Sequence, residues 1–137
     1  MSKEKNTVRS LLDIPVGEPE TMTVQVQRLG LKIKLRELPY NKLVSLRGTE
    51  DADLNYLLAS AVEPDFRDRA WYKEKMGCPT PVDALKKLLR GGEIRAIVHQ
   101  CDRLNSYGAG AVVVLEEDEQ TLQNAAVEGA LEDLEKN

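Results

Sequence analysis

The sequence predicts an α+β fold, mainly helical, in which an N-terminal β-hairpin packs on a bundle of about four to five helices. Three observations lead there. Residues 21–38, "TMTVQVQRLGLKIKLREL", alternate apolar and polar with a period of two. From Pro39 onward the apolar spacing becomes helical, with Leu54, Leu57, Leu58 and Ala61 as the clearest stripe. Aromatic residues make up only 4% of the 137-residue chain, so Leu, Val, Ile and Ala must fill the core. That favours packed helices over an aromatic-rich sandwich.

The elements follow in order. Val8, Leu11 and Leu12 form a short apolar patch in a polar start, one side of a helix capped by Thr7 and ending before Pro15. "GEPE" then reads as linker. In the hairpin, Leu29-Gly30 is the expected two-residue turn, Gly30 supplying the positive φ. That register sets Val26 opposite Ile33 and Val24 opposite Leu35 on an apolar face, with Gln27/Lys32 and Gln25/Lys34 on a wet one. A lone hairpin is marginal in water, so the apolar face needs helices beneath it or its edge needs another chain.

"PYNKLVSLRG" suits a short helix stopped by Gly48. The helix through Leu54 and Leu58 starts at Asp51 or Asp53, and Pro64 prevents its continuation. A further helix is expected over 67–76 with Gly77 at its end. Thr80, Pro81 and Asp83 give the clearest helix start in the chain: a cap, a proline at the first position and an acid at the third. Val82, Leu85, Leu88 and Leu89 form one stripe and Ile94, Ile97, Val98 and Cys101 the next, with Gly91-Gly92 bending or breaking the rod between them. "GAGAVVVL" runs into a β-prone apolar stretch, a final core strand or a segment offered to a partner. Residues 116–137 hold eight acids and one Lys; Leu122, Ala126, Leu131 and Leu134 line one side of an acidic C-terminal helix. The expected division is 1–20 flexible, 21–107 hairpin plus helical core, and 108–137 linker and acidic helix.

Composition narrows the function. The net charge is −4 and the basic residues are scattered, which disfavours nucleic acid, since a duplex binder needs a concentrated basic face. No stretch approaches the ~20 apolar residues needed to cross a bilayer, and the first residues contain no apolar run of signal-peptide length. Cys78 and Cys101 are too few and too far apart for a disulfide framework. A reduced, cytoplasmic protein without membrane contact is expected.

No constellation supports an enzyme, a metal or a cofactor. Glu63, Asp65 and Asp68 are paired acids of a kind that do acid–base work, but they fall at a helix–Pro–helix junction where Asp commonly caps a turn. Trp71, Tyr72 and Met76 read as a core plug. His99, the only histidine, reads as a surface or boundary residue, and Cys101 as a small core hydrophobe. Cys78, between a helix end and Pro79, is in a position open to solvent. "RGGE" lacks the spacing of a phosphate loop and reads as a hinge.

The order of elements adds to this. "TVRSLL", "VQVQRLGLKIKLREL", "LLASAVEPDFRD", "YKEKMGCPTPVDALKKLLRGGEI", "RLNSYG" and a terminal "EKN" together resemble the XkdN-like family of phage tail-assembly chaperones, over about residues 6 to 137. The family's Leu-Ser-Gly-Phe-like turn reads "LNSYGAG" here, and the last 27 residues diverge. The resemblance implies a non-catalytic protein of the bacterial host cytoplasm, absent from the mature virion, that coats the tape-measure protein and keeps it soluble. Tail tube protein, a longer frameshifted form of the chain and further copies of itself are the other partners it implies. Apolar surface rimmed by charge suits that task. The candidate contact residues are Leu11, Leu12, Val24, Val26, Ile33, Leu35, Val112, Val113, Val114, Leu115, Leu122 and Leu131. The alternatives are a structural tail or baseplate component, or a small intracellular regulatory adaptor.

Overall fold

The structure, a computed structural model, describes residues 10–108 and 110–115. The chain falls into two compact units that divide between Tyr107 and Gly108. The first is an antiparallel three-stranded sheet packed on helices, an α+β fold in which helix predominates.

Strands β1 (Thr21–Val26) and β2 (Leu31–Arg36) form the hairpin. The register differs from the one expected. Val24 faces Ile33 and Val26 faces Leu31, because four residues and not two make the turn. Leu29 N–H bonds Val26 C=O (3.1 Å), Gly30 N–H bonds Gln27 C=O (3.3 Å), and Gly30 closes the turn at φ +63. The slip is by two residues, an even number, so the apolar face stays apolar. The wet face moves likewise, Gln25 to Lys32 and Thr23 to Lys34.

A third strand was not legible in the sequence. Helix α2 (Ala52–Ser60) stops one residue before Ala61, which leads β3 (Ala61–Glu63). Leu35 pairs with Ala61 and Lys34 with Glu63, giving the order β1-β2-β3. Ala61 therefore belongs to a strand and not to the helical stripe. Pro64 pushes the residue before it into extended backbone, and the extended segment finds β2.

The other helices are α1 (Tyr40–Leu46), α3 (Pro81–Leu88) and α4 (Gly91–Leu104), and residues 10–13 add one helical turn. Gly48 sits past α1 at φ +74. Asp51, before α2, makes no side-chain cap; its carboxylate pairs instead with Lys86 Nζ of α3 (3.0 Å). The segment expected as a helix over 67–76 is a π-helical turn, Ala70–Lys75, ended by Gly77 at φ +67. Its wide bond runs from Met76 N–H to Trp71 C=O (3.0 Å). At α3, Asp83 N–H donates to Thr80 Oγ1 (3.1 Å) and the Thr80 hydroxyl donates to Asp83 Oδ2 (3.0 Å), the capping arrangement the sequence announces. The rod breaks before Gly91-Gly92, where Arg90 N–H donates to Glu93 Oε1 (2.7 Å) to start α4.

Helix α4 is the spine: it packs along α2 and against β1 and β2. Ile33, Leu35, Leu57 and Cys101 of these elements, with Leu85 of α3, are fully buried in the core. Cys78 is buried too, contrary to expectation, because Gly77 turns the chain inward and Cys78 N–H bonds Tyr72 C=O (2.9 Å). In the second unit, Val112–Leu115 are exposed and join no strand, so the reading of this run as a final core strand is not realised.

Candidate partner-binding surfaces

The segment from Val62 to Met76 builds a concave apolar surface. Asp65 Oδ1 accepts from Arg67 N–H (3.0 Å) and Asp68 Oδ1 from Ala70 N–H (2.9 Å), so each carboxylate tightens a turn. These turns aim Phe66 into the core, 5% exposed, and set Trp71 half-buried against it with ring centroids 5.4 Å apart and planes tilted by 60°. A tilted pair at that distance matches the edge-to-face preference of aromatic quadrupoles. Leu29 and Leu31 from the hairpin, Pro64 and Leu88 of α3 complete an open groove of about 560 Å³, with Asp65 and Asp68 on its rim. The sequence reading of this stretch as a packing joint holds, but the joint leaves the Trp71 face open. The signal for that lay in its holding the chain's only Trp and only Phe, aromatic types enriched at interface centres.

A second trough of about 540 Å³ runs beside β1, between Val24–Gln27 and the Gly92, Ala96, Ile97 and Gln100 positions of α4. Arg28 bolts one end. Its guanidinium gives Nη2 to Glu93 Oε1 (2.8 Å) and Nε to Glu93 Oε2 (3.0 Å), and also reaches Leu88 C=O (2.9 Å). This fork, with the Arg90 N–H bond, holds the Glu93 carboxyl down to about 2.

A third cleft, of about 400 Å³, has Leu43, Leu46 and Val98 beside Arg47, Tyr56 and Asp102, and a structural amide stands next to Tyr56. Asn105 at the end of α4 donates to Tyr56 Oη (3.0 Å) and to Cys101 C=O (2.9 Å), and accepts from Leu38 N–H (2.8 Å). Burial, the leading cause, raises the Tyr56 phenol above its ordinary range, which keeps it neutral. One amide thus ties α4 to α2 and to the end of the hairpin.

The sequence-chosen residues scatter. Val26, Ile33 and Leu35 are in the core, covered by α4 and its neighbours, while Val24, like Met22 and Leu31, is only partly buried. Leu11 and Leu12 are 69% and 78% exposed on their helical turn, and Val112, Val113, Val114 and Leu115 are exposed in the second unit. Leu122 and Leu131, with the acidic helix, lie outside the described residues. His99 is exposed. Burial pushes the Cys101 thiol up to about 11, the opposite of an activated nucleophile. Among the described residues no three His, Cys, Asp or Glu side chains gather as a metal site, and no helix is long and apolar enough to cross a membrane.

The fold is a small α+β domain whose surface carries open grooves. No protein-family model and no curated protein matches the chain. Its fold is similar to that in the crystal structure of the protein YqbN, a structural-genomics target, with a TM-score of 0.54 and 17% identity over 68% of this chain and 90% of that one.

Proposed function

We propose that the chain is a phage or prophage tail-assembly chaperone that binds the tape-measure protein without catalysis and keeps it from aggregating until the tube forms. The observation that supports it is the groove of Leu29, Leu31, Phe66, Trp71 and Leu88 rimmed by Asp65 and Asp68. An amphipathic helix lays its i, i+3, i+4, i+7 stripe into such a concavity, and the acidic rim selects stripes flanked by Lys or Arg. A long helical client exposes that stripe repeatedly, so many weak copies along it gain from avidity. The resemblance to the XkdN-like family points the same way. On this reading the protein works in the host cytoplasm and leaves before the virion matures, with tail tube protein and a longer frameshifted form as further partners.

The test is co-expression with the tape-measure protein encoded in the same gene cluster, reading the client's soluble yield and its co-purification. Rescue with several copies bound is expected. Leu29→Asp, at a position 39% exposed, should abolish rescue while leaving the melting temperature nearly unchanged. No rescue and no complex would sink the proposal. Finding the chain in purified particles would instead favour a structural tail component, and a fixed one-to-one complex with a host protein an adaptor.

A further inference from the structure

We infer that the free edge of β1 is a self-association surface: two copies pair their β1 strands antiparallel about Thr23, across a two-fold axis, into one continuous six-stranded sheet.

The backbone sets the geometry. Glu37 N–H donates to Glu20 C=O (2.9 Å) across the base of the hairpin, and with the observed register this fixes the alternation of an antiparallel ladder. Met22, Val24 and Val26 spend their backbone groups on β2. Thr21, Thr23 and Gln25 turn N–H and C=O to the open edge, and among the described residues no strand pairs there.

The two edges of the sheet are treated differently. At the far edge β3 is three residues long, bears Glu63 and runs into Pro64; shortness, charge and proline are the usual guards of an edge. The β1 edge, "TMTVQV", has six residues with no charge, no proline and no bulge. The cations of the two hairpin strands, Lys32, Lys34 and Arg36, all stand on β2.

The edge is also complementary to itself. A two-fold at Thr23 sets Thr23 against Thr23 of the second copy and Thr21 against its Gln25, and each such pair exchanges both N–H···O bonds. Threonine facing threonine is a favourable cross-strand pair. On the other face Met22 meets Val24 of the second copy. Both are only partly buried within one chain, and they would enter the trough of about 540 Å³ floored by Ala96, Ile97 and Gln100. Charge selects the direction. Glu18 and Glu20 precede β1, so antiparallel pairing keeps the acids of the two copies at opposite ends of the seam. Parallel pairing would set like on like. The pairing needs no client and stands apart from the Trp71 groove.

The experiment is sedimentation equilibrium of the full chain and three kinds of variant. The wild type is expected to be a dimer. Thr23→Pro removes an N–H that no intrachain bond uses, and Thr23→Lys faces two like charges across the axis; both should sediment as monomers with unchanged circular dichroism and melting. Thr23→Cys should cross-link under mild oxidation, since Cα atoms of a hydrogen-bonded pair lie about 5.5 Å apart. Gln25→Cys should not, because its own twin lies about four strand residues away, roughly 13 Å. Cys78 and Cys101 are buried and do not compete. A monomeric wild type, a dimer that survives both Thr23→Pro and Thr23→Lys, or Gln25→Cys cross-linking as readily as Thr23→Cys would each overturn the inference.

Discussion

Replacing Ser60 by alanine should make this protein more stable. Ser60 ends α2, is fully buried, and among the described residues its hydroxyl has no hydrogen-bond partner of good geometry. Its polar neighbour is the Cys101 thiol, a weak donor and a weak acceptor. A buried hydroxyl without a partner costs about 1–3 kcal/mol of desolvation. Alanine removes that cost and adds up to about 0.5 kcal/mol of helix propensity. Against this stands the small void left by one oxygen, about 1 kcal/mol at most. The balance is a gain of about 1–2 kcal/mol. For a cooperative unit of this size that is a rise of at least about 4 °C in Tm. Thermal melting by circular dichroism, with urea unfolding to confirm an unchanged m-value, reads it directly. A fall in Tm would refute the reasoning, because it would mean that the hydroxyl makes a hydrogen bond worth more than its burial costs.

Further predictions rest on single observations. Leu57, fully buried between α2, α4 and the sheet, should cost about 2–5 kcal/mol on truncation to alanine, read as a lower urea midpoint. Thr80→Ala removes both bonds of the α3 cap and should cost about 1 kcal/mol, whereas Thr80→Ser should be close to neutral. Glu93 stays ionised in the folded chain down to about 2, while in the unfolded chain it protonates near the ordinary ~4.3. Its depressed value means a contribution fully present above about pH 5 and lost as pH falls toward 2. Wild-type Tm should therefore drop more steeply between those limits than that of Glu93→Gln; parallel slopes would remove the Arg28–Glu93 pair from the account.

Much of this molecule is written locally. The start of α3 was legible because Thr80, Pro81 and Asp83 act on one another within one turn. The stops at Gly48 and Gly77 were legible because few residues other than glycine take φ near +70 without strain. The period-two run over 21–38 read as a hairpin, and the burial of Cys101 followed from its stripe.

What could not be read lies wherever two distant segments choose each other. A two-residue and a four-residue turn both keep the hairpin's faces, so only packing against α4 selected the register. Ala61 continued a helical stripe in the sequence, yet the exposed edge of β2 offered its backbone partners and made it a strand. Arg28 meets Glu93 65 residues away, a contact no spacing announces. Three of the candidate contacts, Val26, Ile33 and Leu35, turn out buried for the same reason. Sequence shows which side of a strand is apolar but not whether a helix already covers it, and here α4 covers Val26, Ile33 and Leu35. The sequence by itself determined the hairpin, the main helices, the α3 cap and the apolar faces, because those depend on neighbours within a few residues. The tertiary structure alone decided which faces stay open, because exposure is what remains after every other segment has been placed.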